Sequence, residues 1–309
     1  MKSIATLTMN PTIDVAYEVA QVHHTHKIRA THEYHNPGGG GINVARVYVR
    51  LGGNARCYYL AGGATGIALD GLIDLHQLAR VKIPIDGETR IAANVVETET
   101  GKEYRFVPAG PVVAEAEWRA SLELLAEAEC DYLVASGSLP PGVPDDFYAR
   151  AAALVRPKGI RVVLDSSGPA LREGLAGGGI HLVKPSVGEL QALVGHALPD
   201  PDSIARAAAE IVSSGKAEIV AVTMGHEGAL LAHAGGTIGL PALPIEAKST
   251  VGAGDSFVAG MVYALSDGKS PAEAFRWGMA TGTAAVLHPG TDLARPDDIE
   301  RMLRLLPAA

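Results

Sequence analysis

Short apolar runs recur along the chain with helical stretches between them. Ile4-Ala5-Thr6-Leu7, Tyr132-Leu133-Val134-Ala135, Val162-Val163-Leu164-Asp165, His181-Leu182-Val183 and Ile219-Val220-Ala221-Val222 predict buried parallel strands. Segments with helical period and capping signals, such as Asp145 to Leu154 and Ser203 to Val212, lie between them. This alternation predicts an α/β fold, a doubly wound, mostly parallel sheet flanked by helices, with ligands at the carboxyl ends of the strands. Two stretches depart from the rhythm. Residues 12–35 and 88–108 are rich in β formers, including Arg90 to Val96 and Glu103 to Val107, and lack a crossover helix. They predict a small β-sheet standing off the main body as a lid, its outer face covered by polar residues or by a partner subunit. No linker or low-complexity segment interrupts residues 1–309, so a single domain is expected.

Charge narrows the ligands. The net charge of −8 argues against nonspecific nucleic-acid binding, and an anionic ligand must find a local basic pocket. No apolar run is long enough to span a membrane, and the first residues lack the features of a signal peptide, so a cytoplasmic protein is expected. Cys57 and Cys130 flank or enter apolar strands and read as inert core thiols. Five histidines, His23, His24, His26, His32 and His35, fall in the lid; their irregular spacing and the absence of a cysteine partner favour solvated residues over a metal site.

The 36 glycines concentrate in a few loops, and common phosphate signatures fail there on spacing. G-x-G-x-x-G breaks at Gly38, where its last position is Asn43, and at Gly252, where it is Phe257, so no nicotinamide cofactor is supported. Gly268-Lys269-Ser270 lacks the first glycine of a Walker A loop, Tyr263 standing there, and reads as a helix start with Ser270 as cap and Pro271 in the first turn. The most informative segment is Ser249-Thr250-Val251-Gly252-Ala253-Gly254-Asp255-Ser256, followed by an apolar helical run. Backbone N–H groups converging at a helix N-terminus suit a phosphoryl group in transfer. Asp255 either caps that helix or is the general base that takes a proton from an attacking sugar hydroxyl, with the amides of Gly252, Ala253 and Gly254 stabilising the transferred group. In Asn36-Pro37-Gly38-Gly39-Gly40-Gly41-Ile42-Asn43, one or two glycines would make a tight turn into a helix; four favour a ligand lying on the backbone, with Asn43 bonding its hydroxyls. Asp14 is either an Asx-turn residue or a second hydroxyl acceptor.

Eight segments in order, TLTMNPTID from Thr6, KIR from Lys27, PGGGGINVAR from Pro37, LAGGATG from Leu60, SGSLPPGV from Ser136, LDSSG from Leu164, LVKPS from Leu182 and STVGAGDS from Ser249, resemble the ribokinase-like (PfkB) carbohydrate kinases over the whole chain. The resemblance is strongest to the members acting on fructose 6-phosphate. It implies ATP-dependent phosphorylation of that sugar phosphate at its 1-hydroxyl, in a homodimer whose lids pack together. It makes Asp255 the base and Gly252 to Gly254 the anion hole. Asp14, Gly38, Gly39, Asn43 and Ser138 would hold the sugar, and Lys27, Arg29, Arg90 and Arg105 its 6-phosphate. For ATP it points to Lys184, Ser186, Thr223, Gly225, Gly228 and Thr283, with Glu189 organising Mg²⁺ through water.

The family's Lys-Pro-Asn reads Lys184-Pro185-Ser186 here, so a shorter hydroxyl replaces an amide. The resemblance further implies a K⁺ ion beside the anion hole, held mainly by backbone oxygens at Ser249, Val251, Ala285, His288, Gly290 and Asp292, the last with a full negative charge to add. The competing reading of Leu287 to Asp292 is an ordinary turn between helices. Two same-fold acceptors, tagatose 6-phosphate and fructose 1-phosphate, stay open. So does a regulator that binds nucleotide or sugar phosphate without turnover, although a sensor has no need of Asp255.

Overall fold

The computed structural model describes residues 3–288 and 292–307. In chain order, β1 (Ile4–Thr8) is followed by β2 (Thr12–Val19) and β3 (His32–Gly38), which passes directly into α1 (Gly40–Arg50). Then come β4 (Ala55–Ala61), α2 (Gly63–Leu75), β5 (Ala79–Pro84), β6 (Arg90–Glu97), β7 (Glu103–Phe106) and α3 (Glu115–Ala126). The second half runs β8 (Tyr132–Ser136), α4 (Phe147–Val155), β9 (Arg161–Asp165), α5 (Gly168–Ala176), β10 (Ile180–Val183), α6 (Val187–Val194), α7 (Pro201–Ser213) and β11 (Ala217–Thr223). It closes with β12 (Ala229–His233), β13 (Gly236–Leu240), α8 (Ala253–Ser266), α9 (Pro271–Ala285) and α10 (Pro296–Leu305).

The expected doubly wound sheet is present. Among the described residues it has nine strands in the order β13-β12-β11-β10-β9-β8-β1-β4-β5, parallel except for β12 and β13. The chain winds outward in one direction through β4 and β5 and in the other through β8 to β11, so the order reverses between β1 and β8. A crevice opens at the carboxyl ends of strands at such a reversal. Strand residues alternate between two cores. Ile4, Val134, Val163 and Leu182 face the layer built from α1, α8, α9 and α10, whereas Leu7, Leu133, Leu164 and Val183 face α3 to α7. Burial pushes the Cys57 thiol up to about 12 and the Cys130 thiol to about 11, as inert core thiols require.

The lid is a four-stranded sheet in the order β3-β2-β6-β7, with β2 and β6 parallel. Both irregular stretches supply it, but β3 continues to Gly38, past the expected boundary at residue 35. The glycine-rich segment is therefore a strand running straight into α1 rather than a turn. Asp14 lies within β2, paired in register with Asn36 and Ala92, and not in an Asx turn. The inner edge of the lid is anchored by Ile13 and Val15, buried in the core shared with α1 and α2. The lid histidines are exposed. His32 Nδ1 lies 3.0 Å from Glu18 Oε2 and His35 Nε2 3.3 Å from Glu33 Oε1. Among the described residues no group of three His, Cys, Asp or Glu side chains is arranged to hold a metal, and no helix is long and apolar enough to cross a membrane.

Candidate active site

Gly252 starts α8 with φ +72°, a left-handed conformation that a side chain would strain, and a Cβ there would stand 2.3 Å from Leu293 Cδ2. The helix consequently begins tightly, with the amides of Ala253 and Gly254 in its first turn. Asp255 is also in that turn, but Gly252 is the cap, and Asp255 Oδ2 accepts a 2.9 Å hydrogen bond from Asn43 Nδ2 of α1. A helix-capping role for Asp255 is thereby excluded. Its carboxyl is raised to about 7, first by the protein enclosing it and next by the charge of Asp165, against the pull of Asn43 and Lys184. A carboxylate poised near neutrality is suited to take a proton from a hydroxyl.

Lys184 and Asp165, from the ends of β10 and β9, form an ion pair with Nζ to Oδ1 at 3.1 Å, and Ser136 Oγ at the end of β8 donates to Asp165 over 3.4 Å. The buried ammonium also stands against the α8 start, 3.5 Å from where a Gly254 Cβ would be. Burial alone would lower the pKa of Lys184, but Asp165, Glu189 and Asp255 outweigh it, so the group is raised and charged. Asp165 was not singled out from sequence. Its signal was a carboxylate at the carboxyl end of an apolar strand.

On the sugar side, Asp14 is raised to about 6 by enclosure, against the attraction of Arg46, Arg90 and Arg105. The cations whose field reaches Asp14 therefore include Arg90 and Arg105 from the lid, while Lys27 and Arg29 lie on the exposed 20–31 loop. Arg90 also braces the site: it donates to Asn10 O at 2.8 Å and Pro108 O at 2.8 Å. Ser138 is exposed, its Oγ accepting from Asn10 Nδ2 at 3.2 Å. Protein meets the Cβ position at each of the four glycines, so the packing of the chain on itself also requires them. A Cβ at Gly38 would lie 2.1 Å from Asp14 Oδ2, and one at Gly40 2.2 Å from Ser136 Oγ. Gly38 lets β3 lie against Asp14, and Gly39, at the start of α1, is pressed on Thr8 and Pro11.

A cleft of about 730 Å³ opens on the other side of the α8 start. It gathers Ser186, Thr223, Gly225, Gly228 and Thr283 with Ala253 and Gly254. Its further walls, Leu243, Pro244, Ile245, Phe257, Met279 and Val286, were not foreseen; they make one side of the cleft apolar. The residues fit a nucleotide: apolar walls for a base, with Lys184 and the α8 amides at the phosphate end.

Glu189 closes a capping box on α6, its Oε2 accepting from the Ser186 amide at 2.7 Å, so any Mg²⁺ it organises is reached with one carboxylate oxygen already engaged. The negative charge of Asp292 is shared with two arginines. Its carboxylate is 2.5 Å from Arg295 Nη2 and 3.6 Å from Arg50 Nη2, and His288 is held by Asp298 at 2.7 Å. Ser249 Oγ accepts from the Val251 amide, Ala285 ends α9, and Gly290 lies outside the described residues.

Residues 7–298 match the pfkB family of carbohydrate kinases. The chain is 41% identical over 307 residues, covering 99% of both chains, to the ATP-dependent 6-phosphofructokinase isozyme 2 of Escherichia coli. It is 42% identical over 305 residues to the isozyme 2 of Mycobacterium tuberculosis, covering 98% of this chain and 89% of that one. The crystal structure of the E. coli phosphofructokinase-2 in complex with potassium superimposes with a TM-score of 0.94 at 41% identity, over 99% of both chains. The same protein has been crystallised with fructose-6-phosphate. More distant relatives include a 1-phosphofructokinase of Rhodobacter capsulatus, 34% identical over 97% of this chain and 96% of its own. A tagatose-6-phosphate kinase of Staphylococcus epidermidis is 29% identical over 97% of both. The fold is ribokinase-like.

The raised carboxyl of Asp255 has a consequence for stability. Its folded pKa of about 7 stands above the ordinary 3.8, so the folded state holds its proton over a window in which the unfolded chain has lost it. Stability from this group is complete below the ordinary value and is lost as pH rises through about 7. In Asp255→Asn the loss disappears. The melting temperature of the variant relative to the wild type should become more favourable by about 2–5 °C between pH 4.5 and 8, and level off above neutrality. A difference constant with pH would show that Asp255 ionises alike in both states.

Proposed function

We propose that the chain, which belongs to the pfkB family of carbohydrate kinases, transfers the γ-phosphoryl group of ATP to the 1-hydroxyl of fructose 6-phosphate. The observation that carries this reading is the position of Asp255, at the α8 start between the Asp14–Asn43 side and the 730 Å³ cleft. Asp255 removes the proton as the hydroxyl oxygen bonds to the γ-phosphorus; the bond to the bridging oxygen breaks and ADP leaves with its electron pair. The amides of Gly252, Ala253 and Gly254, together with Lys184, face the charge that builds on the transferred group. Ser186, Thr223, Gly225, Gly228 and Thr283 hold the nucleotide. Mg²⁺, when it accompanies ATP, neutralises phosphate charge; Glu189 would hold it through water.

On the acceptor side, Asp14, Asn43, Gly38, Gly39 and Ser138 bind the sugar hydroxyls. Arg90 and Arg105, with Lys27 and Arg29 from the exposed loop, hold the 6-phosphate and supply the local basic pocket that a chain of net charge −8 needs. The fructose 6-phosphate reading rests on the stronger likeness to isozyme 2 of phosphofructokinase than to 1-phosphofructokinases or tagatose-6-phosphate kinases. We read the lid as the surface through which two copies pair, since Tyr34, Ile91, Phe106 and Val107 are exposed there.

A substrate panel and one variant test the reading. Coupled-assay kinetics should give the highest kcat/KM with fructose 6-phosphate, ahead of tagatose 6-phosphate and fructose 1-phosphate; a preference for either of the others reassigns the acceptor. Asp255→Asn should lower kcat by about 10²–10⁴-fold with little change in ATP affinity. A variant keeping more than a tenth of the wild-type kcat removes Asp255 from the role of base.

A K⁺ ion near Ser249, Val251, Ala285, His288 and Asp292 forms part of the same reading. A loop that turns its N–H groups to phosphate turns carbonyls away from it, and a weakly hydrated cation would satisfy them. Since Arg50 and Arg295 already occupy the Asp292 carboxylate, backbone oxygens would do most of the holding. K⁺ at tens of millimolar should then raise kcat several-fold over Na⁺ or tetramethylammonium at equal ionic strength, by fixing the anion hole. Equal rates in the three salts would show that the loop needs no ion.

A further inference from the structure

Arg46 is 2% exposed, yet it lies on α1 among Ile42, Val44, Ala45 and Val47, all in the core. A buried guanidinium is costly unless hydrogen-bonded, and here both terminal nitrogens are used while Nε has no partner among the described residues. Its Nη1 donates to Pro37 O and to Asn43 Oδ1, each at 3.1 Å, and its Nη2 to Asn36 Oδ1 at 3.0 Å. Asn43 is one helical turn earlier on the same face of α1, so the two side chains meet by spacing alone. The other end of the Asn43 carboxamide, Nδ2, is the group that donates to Asp255.

We propose that Arg46 is the positioning residue that fixes the polarity of the Asn43 carboxamide, so that Asp255 always meets its amino group and never its carbonyl. The argument is one of donor and acceptor inventory. A guanidinium has donors only, so the amide end that faces it must be oxygen; the end facing Asp255 must then be nitrogen, and it can only donate. An amino group stabilises the ionised carboxylate, the form a base needs, whereas a carbonyl would stabilise the protonated acid. Without Arg46 nothing on α1 would prevent the carboxamide from turning over. The same guanidinium holds Asn36 and Pro37 at the end of β3, so the lid strand that runs past Asp14 and the amide that faces Asp255 share one anchor. Arg46 touches none of the reacting atoms. The role rests on Asp255 being the base, and it adds that α1 keeps this base in its working protonation state.

The ionisation of Asp255 is the readout, and the charged groups facing it are Asp165 from β9, Lys184 from the end of β10, Asp14 from β2 and Arg46 from α1. In ligand-free protein labelled with ¹³C at aspartate carboxyls, the Asp255 signal, assigned by its loss in Asp255→Asn, reports this titration directly. Arg46→Met should move the Asp255 midpoint upward by about one pH unit or more. Arg46→Lys keeps a buried charge but not a planar fork that spans Asn43, Pro37 and Asn36, and should move it in the same direction by less. Should the methionine variant not fold, the lysine variant decides alone. In an Asn43→Leu background, which has no carboxamide to orient, replacing Arg46 by Lys should produce a markedly smaller shift. An Asp255 midpoint unmoved by the substitutions at Arg46, or moved equally with and without Asn43, overturns the proposal and leaves Arg46 as a packing residue. The kinetics separate this from the functional reading: a midpoint that shifts while the acid limb of kcat/KM stays put upholds the role of Arg46 and removes Asp255 as the base.

Discussion

Three carboxylates, those of Asp14, Asp165 and Asp255, are enclosed in one crevice, and the rest of the site answers to the cost of ionising them away from water. Enclosure is the largest part of that cost at each, and at Asp255 the charges of Asp165 and, less, Asp14 add to it. The compensation is built from few cations at close range. Lys184 pairs with Asp165 at 3.1 Å, and Arg46, Arg90 and Arg105 act on Asp14. Such an arrangement costs stability at neutral pH, where a protonated acid would be the cheaper state. What it yields is a carboxylate with a proton affinity near that of a neutral solution, held in one orientation.

The fold supplies this crevice because its chain reverses winding direction between β1 and β8. Side chains at the carboxyl ends of β8, β9 and β10, namely Ser136, Asp165 and Lys184, project there in sequence, and the N-terminus of α8 closes it from the other side. The α8 start divides the space. Toward the lid lie Asp14, Asn43 and the arginines; toward β11 and β12 lies the apolar cleft lined by Phe257, Met279 and Ile245. A phosphoryl donor and an acceptor that enter from these two sides meet at the amides of Ala253 and Gly254 and at Asp255. The small lid is tied to the body through Ile13 and Val15 in the core and through Arg46 at the end of β3, so its position and the partner of Asp255 are set by the same helix.

Much of this was readable from the chain alone. Apolar runs marked the strands that were named, because a parallel strand is buried on both faces and cannot be polar. The G-A-G-D segment marked the α8 start, because glycines before a helix leave its amides open. Other features depend on partners distant in sequence. The crowding of Gly38 by Asp14 and Gly40 by Ser136 is tertiary, so a run of glycines could not reveal whether protein or ligand filled the space. Asp14 was open between a turn residue and a hydroxyl acceptor because its strand pairs with distant segments, at Asn36 and Ala92. The engagement of Asp292 by Arg50 likewise follows from packing, whereas the Ser186–Glu189 capping box and the Asn43–Arg46 pair are local, each three residues apart. Arg46 did leave a trace, as a charged residue three positions after Asn43 in the mostly apolar run from Val44 to Val49. Residues 242–247 left none, since an apolar loop segment carries no sign of the cleft it will line.

The central claim is that phosphoryl transfer depends on the ionised form of Asp255, and the pH dependence of kcat/KM for fructose 6-phosphate at saturating ATP tests it most directly when wild type and Asp255→Asn are compared. The titration of the substrate's own phosphate is common to both enzymes, so any difference in the profiles belongs to the side chain. The wild type should lose activity in acid along a limb with a midpoint near 7, and the residual activity of the variant should lack that limb. Profiles of the same shape in the two enzymes, differing only in height, would contradict the account.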